Sequence, residues 1–256
     1  MSSSERFGFE WNKYRGIYPN YYDQYRDQFL NWVTPLESEY FAGKSILDAG
    51  CGMGRNSYWP LSWGAQELIA FDKDPRSVKA AKENLKKFTN AQVVESDIYD
   101  LPWSDKFDFA FSIGVIHHLK YPKKALEQIK RTLKPGGEIL IWVYSKEGFE
   151  TILKILNPIR KYITSRMPLG LLHALTYIPS VPFYLYLHLF PQSREYFKQL
   201  RSFSFSHMHS ILFDQLLPDV AAYYSEAEAR DLLSMFREVS IRKPKNLNGW
   251  IVRGIK

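Results

Sequence analysis

A chain of 256 residues with 45% hydrophobic content has room for one α/β domain carrying an insertion. Its single cysteine, Cys51, excludes an intramolecular disulfide framework and fits a reducing compartment. A formal charge of +7 invites a nucleic-acid reading, but the cations are spread over what read as solvated helix faces (Lys79, Lys82, Lys86, Lys87, Lys123, Lys124, Lys130, Arg131), and no RNA-binding module is visible.

The opening Met1-Ser2-Ser3-Ser4-Glu5 lacks the apolar stretch of a secretory signal, so a cytoplasmic protein is expected. The first forty residues are then dense in aromatics: Phe7, Phe9, Trp11, Tyr14, Tyr18, Tyr21, Tyr22 and Tyr25. Two readings stay open for Phe7-Gly8-Phe9-Glu10-Trp11, a lid whose closure excludes water from a site, or ordinary packing on the outside of a sheet.

Ser45 to Ala49 reads as a buried strand that ends on Asp48 and breaks into Gly50, Gly52 and Gly54. Glycine at alternate positions permits positive φ and leaves no Cβ to hold a ligand off the main chain. In an open α/β sheet, ligands bind at this carboxyl end of the strands. The dinucleotide fingerprint requires Gly or Ala five positions after the first glycine, and that position is Arg55, which disfavours NAD.

A short helix is expected over 56–62, limited by Pro60. A second strand, Leu68 to Phe71, runs into Asp72-Lys73-Asp74-Pro75, where an acid can take both hydroxyls of a ribose. The helix over 75–88 has Asp74 as cap and Pro75 in its first turn, with Val78, Ala81 and Leu85 on one face. The third strand, Ala91 to Glu95, leads to Asp97 and Ile98, placed to accept from an adenine amine and to cover the ring. The fourth, Phe107 to Ile113, leads into Gly114-Val115-Ile116-His117-His118-Leu119. A helix over 122–133 and the turn Lys134-Pro135-Gly136 precede the fifth strand, 137–144.

The stretch from Met167 to Ser193 contains no Asp, Glu, Lys or Arg. Its length would pass for a membrane span, but Pro179, Pro182 and two histidines oppose that. The expectation is two short helices forming the lid and apolar wall of a substrate pocket. The alternative is a segment lying in a bilayer interface, since Arg160, Lys161, Arg166, Arg194, Lys198 and Arg201 flank it. His207 and His209 follow, with no carboxylate or cysteine cluster to complete a metal site, so no metal is expected. Ser225-Glu226-Ala227-Glu228 is a capping box that opens a last helix. Val239 to Arg242 and Trp250 to Arg253, joined through Asn248-Gly249, read as a terminal hairpin.

Leu47-Asp48-Ala49-Gly50-Cys51-Gly52-Met53-Gly54, Phe71-Asp72, Asp97 to Pro102, Gly114 to Leu119 and Leu133 to Gly137 stand in the order and spacing of one family. Over roughly residues 40–145 the chain resembles the class I S-adenosylmethionine-dependent methyltransferases, nearest to the small-molecule branch with the ubiquinone and menaquinone C-methyltransferases. The resemblance implies a doubly wound, Rossmann-like, mostly parallel sheet ending in an antiparallel hairpin. It implies S-adenosylmethionine as cofactor, held by Asp48, Gly50, Cys51, Gly52, Asp72, Lys73, Asp97, Ile98 and Ile113. The organisation is then an aromatic lid segment (1–40), a cofactor-binding core (41–145), an apolar helical insertion (146–222), and a last helix with the hairpin (223–256).

Methyl transfer from a sulfonium needs alignment more than acid–base help, though a hydroxyl or acidic carbon acceptor gains from a base. His117 and His118 are the catalytic candidates, either as base or as structural hydrogen-bonders. Trp11, Tyr14, His207, His209 and Tyr224 are candidates for the substrate pocket, whose acceptor is expected to be a small, partly apolar molecule; peripheral membrane contact through 167–193 stays the alternative reading of that segment. A nucleic-acid acceptor is disfavoured: Ser112-Ile113-Gly114 stands where base-amine enzymes carry Asn/Asp-Pro-Pro-aromatic, and Cys51 lies in the cofactor loop rather than the substrate site. A cofactor-binding regulatory or assembly protein without transfer activity, and a tRNA methyltransferase, remain the alternatives.

Overall fold

The computed structural model describes residues 3–147, 150–218 and 221–256. Five strands, β1 (Ser45–Ala49), β2 (Glu67–Asp72), β3 (Ala91–Glu95), β4 (Phe107–Ile113) and β5 (Leu133–Tyr144), pair in parallel. The chain closes with β6 (Arg237–Arg242) and β7 (Gly249–Ile255), both antiparallel to their neighbours, giving the order β3-β2-β1-β4-β5-β7-β6. The sheet reverses direction between β1 and β4, so the exits of β1 and β4 face a common crevice. β1 is buried along its whole length and β4 nearly so, as their continuous apolar runs require of strands covered on both faces.

The helices, in chain order, are α1 (Ser3–Lys13), α2 (Tyr22–Val33), α3 (Tyr58–Ser62), α4 (Pro75–Leu85), α5 (Pro122–Thr132), α6 (Glu150–Tyr162), α7 (Leu169–Leu189), α8 (Glu195–Arg201), α9 (Phe205–Leu216) and α10 (Glu226–Leu232). Local chemistry sets several of their ends. Asp74 accepts the Arg76 N–H at 2.9 Å to open α4. Ser225 and Glu228 close both bonds of the capping box before α10. One apolar layer joins Phe29, Phe41, Trp59 and Phe111; the other joins Leu126, Ile129, Ile141 and Leu233.

The insertion departs from the expected two short helices. α7 runs unbroken for 21 residues through both Pro179 and Pro182. Both prolines lie on its exposed side, and Thr176 and Ser180 donate their hydroxyls back to the carbonyls of Leu172 and Thr176, at 2.8 and 2.7 Å. Among the described residues, no helix is long and apolar enough to cross a membrane.

α1 is pinned rather than loose. Arg6, almost fully buried, donates to the carbonyls of Thr164 at 2.7 Å and Ser165 at 3.2 Å, and also to that of Leu217. Arg76 on α4 donates to the Glu5 carbonyl at 2.6 Å. The N-terminal helix therefore bridges the core and the insertion across the crevice.

Candidate active site

The carboxyl ends of β1 to β5 open onto one cavity of about 500 Å³, closed by α1 on one side and by α8 and α9 on the other. Gly50 takes φ +82° and Gly52 φ +53°. A Cβ on Gly52 would lie 2.9 Å from Trp11 Nε1, so α1 sits directly on the bare loop. Gly50 and Cys51 both donate to the Phe71 carbonyl, at 3.0 and 2.8 Å, which fixes the loop against β2.

Asp72 closes that arrangement. Its Oδ2 accepts the Gly52 N–H and its Oδ1 the Asp74 N–H, each at 2.9 Å. A carboxylate has about four lone-pair directions, so these bonds leave part of that set for a ribose hydroxyl. Burial raises the Asp72 carboxyl above its ordinary range, against the bonds from Asp74 and Gly52 that lower it. At the end of β3, Asp97 meets Lys73 Nζ at 2.7 Å and accepts the Tyr99 N–H at 3.1 Å. Partial burial raises Asp97, but the Lys73 bond and charge with the Tyr99 N–H outweigh it and hold the acid below its usual range.

Several of the expected site residues line this cavity: Gly50, Cys51, Gly52, Asp72, Lys73, Asp97, Ile98, Ile113, His118, Trp11 and His207. Others stand elsewhere. Asp48, 2% exposed, lies beneath the loop and accepts the Ser57 hydroxyl at 2.6 Å. Burial, partly offset by that bond, pushes its carboxyl up to about 7. Named among the cofactor-holding residues on the resemblance, Asp48 stands instead in the floor and does not line the cavity. His117 is fully buried, its ring centroid 3.8 Å from that of Tyr144, and desolvation holds it neutral well below the usual histidine range. Tyr14 bonds His173 at 2.8 Å, and His209 bonds Ser180 at 2.8 Å, both on the α7 side of the insertion. Tyr224 faces a separate shallow surface pocket beside Lys120 and Glu228. The Cys51 thiol is pushed well above its ordinary value by burial and by Asp48 and Asp72, which leaves it a small, unreactive side chain beside the loop.

The structure adds a second polar group that sequence reasoning missed. Glu10 on α1, Arg55 after the glycine loop, Tyr144 at the end of β5, and Asp214 and Gln215 on α9 all line the cavity. Four strand spacings of ~4.8 Å separate β3 from β5, so Tyr144 stands about 19 Å across the sheet from Asp97. Glu10 is 1% exposed and hydrogen-bonded to Asp214. Burial, then the Asp214 charge, raises Glu10 well above its ordinary value, so it holds the shared proton and donates it to Asp214. Asp214 is raised by burial to about 6, while Arg160, Tyr144, Glu10 and Arg55 pull it down. The pair thus carries about one negative charge facing Arg55, whose guanidinium stacks 5.1 Å from the Tyr25 ring. Tyr144 Oη lies 3.4 Å from Asp214 Oδ2 and accepts from Gln215 Nε2 at 3.1 Å. His207, held between Phe203 and Tyr25, is lowered to about 3 by burial and Arg55, so it presents a neutral ring to the cavity.

Residues 47–141 match the family model described as a methyltransferase domain. The tRNA U34 carboxymethyltransferase of Saccharophagus degradans is 30% identical over 164 residues, covering 61% of this chain and 45% of the relative. That of Pseudoalteromonas translucida is 31% identical over 144 residues, covering 55% of this chain and 42% of the relative. The chain thus spans less than half the length of these relatives. Among solved structures, a SAM-dependent methyltransferase from Aquifex aeolicus has TM-score 0.53 at 18% identity, covering 94% of this chain and 99% of that one. The magnesium protoporphyrin IX methyltransferase of Synechocystis PCC 6803, solved with bound SAH, has TM-score 0.55 at 15% identity, covering 96% and 93%. The cofactor is S-adenosylmethionine, and the bare glycine loop, Asp72, Asp97 and Ile98 on one cavity wall fit it. Residues 47–141 thus form a methyltransferase domain, carried on a sheet whose order and bare glycine loop give the class I, Rossmann-like fold.

Proposed function

We propose that the protein transfers a methyl group to a small, partly apolar molecule carrying an ionisable hydroxyl, carbon acid or amine. The observation that carries this reading is the far end of the cavity. There Phe7, Trp142, Tyr144 and Tyr196 line the same cavity as the Glu10–Asp214 pair, with the Tyr144 hydroxyl 3.4 Å from Asp214. S-adenosylmethionine, when bound, supplies an electrophilic methyl group on a sulfonium. Asp72 and Asp97 hold the nucleoside end, and the Gly50–Gly52 backbone leaves room for it. Trp11 on α1 covers the loop and excludes water. At the acceptor end, Asp214 takes the proton that the acceptor loses, and His118, against Phe7 at 4.8 Å between ring centroids, shapes the wall. Alignment by these walls supplies most of the acceleration.

The names of the relatives describe transfer of a carboxymethyl group to a tRNA uridine. In this cavity an incoming carboxylate would meet the negative charge that Glu10 and Asp214 share, which already engages Arg55 and Arg160. The closure by α1, tied to the insertion through Arg6 and to α4 through Arg76, also favours a small acceptor over a polynucleotide. The test is a radiolabelled methyl-transfer screen with S-adenosylmethionine against quinone and lipid extracts in parallel with total tRNA. Label in the organic extract supports the proposal. Label only in tRNA, or carboxymethyl transfer in its place, would overturn it.

A further inference from the structure

The long helix of the insertion turns two different surfaces to two different places. Its inner side packs on α9 through Leu172, His173, Thr176 and Ser180, with the Tyr177 and His209 rings stacked at 4.0 Å. α9 in turn carries His207, Ser210, Asp214 and Gln215 into the cavity. The outer side is apolar from end to end. Leu171, Leu175, Ile178, Val181, Leu185 and Leu189 recur at helical spacing on it, and Ile178 and Leu189 are 70% and 72% exposed. At 1.5 Å per residue the stripe runs about 30 Å, larger than isolated apolar residues on an ordinary surface account for.

The charges around the stripe decide what covers it. From residue 151 to residue 213 the sequence holds seven Lys and Arg against one carboxylate, Glu195, which pairs with Lys198 at 2.6 Å. Arg160 is buried and bonded to Gln215 and Tyr223, so it belongs to the fold. Lys161 and Arg166 stay exposed before the stripe, and Arg194, Lys198 and Arg201 after it. A second copy laid face to face would bring one cationic end against another, with no acid on either stripe to offset them. A bilayer bearing anionic headgroups offsets both ends at once and takes the apolar side chains between them.

We propose that α7 is a membrane-interface helix that docks the protein on an anionic phospholipid surface, lying in its plane. The exposed aromatics Tyr162, Tyr186 and Phe190 stand at the edge where headgroups meet acyl chains. An acceptor dissolved in the bilayer then has only α7 and α9 between it and the cavity. The docking itself does not depend on which acceptor is used.

The experiment is co-sedimentation of the full chain with vesicles of phosphatidylcholine alone and of phosphatidylcholine with phosphatidylglycerol, at low and high salt. The wild type is expected to pellet with the anionic vesicles at low salt and to be largely released at high salt. Leu185→Asp with Leu189→Asp should lower partitioning by about tenfold or more. Their S-adenosylmethionine affinity, measured by calorimetry, should be unchanged, because both side chains point away from the core. Arg194→Glu with Arg201→Glu, outside the stripe, should weaken anionic binding in the same way and serves if the first pair fails to fold. A wild type that stays in the supernatant with both vesicles overturns the proposal. So does a dimer, seen by sedimentation equilibrium, that the Asp substitutions disperse without any vesicle binding.

Discussion

Asp72 Oδ2 accepts the backbone N–H of Gly52 at 2.9 Å, across a sequence separation of 20 residues. One carboxylate thus does two things: it holds the glycine loop in its open shape and offers its remaining lone pairs to a ribose. Both functions fail together when it is removed.

Asp72→Ala is therefore expected to weaken S-adenosylmethionine binding by about 2–3 kcal/mol, the scale of lost hydrogen bonds to a charged group. Calorimetric titration of variant and wild type measures it, and equal affinities would refute the assignment. NADH should give no saturable binding to the wild type, since Arg55 stands where its fingerprint needs Gly or Ala.

The cofactor end was legible because its determinants are local. The apolar runs of β1 and β2 lead into Gly50 and Asp72, and β3 leads into Asp97 two residues on, so all three come to line the cavity. Asp48 sits in the same kind of position yet turns inward to Ser57, a distinction of side-chain direction that no pattern encodes. The Glu10–Asp214 pair joins a residue of the first helix to one of the insertion, so only tertiary packing creates it. Arg55 was the one available signal, a cation directly after the glycine loop. The continuity of α7 was hidden for the opposite reason. Pro179 and Pro182 are strong local breakers, and the Thr176 and Ser180 hydroxyls that bond back to carbonyls beside them act one turn away.

Asp214 gives the reaction an acid limb. A base must be ionised to accept a proton, and burial has raised this carboxyl from 3.8 to about 6. Turnover should thus be full above that value and fall as pH drops through it. Asp214→Asn should lower kcat by about a hundredfold and abolish the limb, with cofactor affinity nearly intact. A variant that keeps the wild-type pH profile would move the search for the base to His118.

Asp48 should make stability depend on pH in the direction opposite to a paired carboxylate. Its folded value, about 7, lies above the 3.8 of an unperturbed group, because the ionised form is desolvated. Its stabilising contribution is fully present below the unfolded value and is lost as pH rises towards and through about 7. Three units at 1.36 kcal/mol each bound the loss at about 4 kcal/mol. Asp48→Asn keeps an acceptor for Ser57 but cannot ionise. The Tm of the variant should gain on that of the wild type between pH 5 and pH 8, by roughly 5 °C or more. Thermal melts at both pH values measure the difference, and a constant gap would show that Asp48 does not titrate in this range.

Gly50 separates two reasons for a glycine at this point of the loop. A methyl group there would lie 2.6 Å from Val115 Cγ2 and 2.9 Å from Cγ1, and the backbone at φ +82° is strained for any L side chain. Gly50→Ala alone should lower S-adenosylmethionine affinity more than about tenfold, because the loop must shift to relieve the clash. Adding Val115→Ala removes both offending carbons and leaves the φ strain of about 1–2 kcal/mol. The double variant should then recover part of the affinity but not all of it. Full recovery would show that the positive φ costs nothing there. No recovery would show that Val115 does not press on the loop, and that the packing between the exits of β1 and β4 differs from that described above.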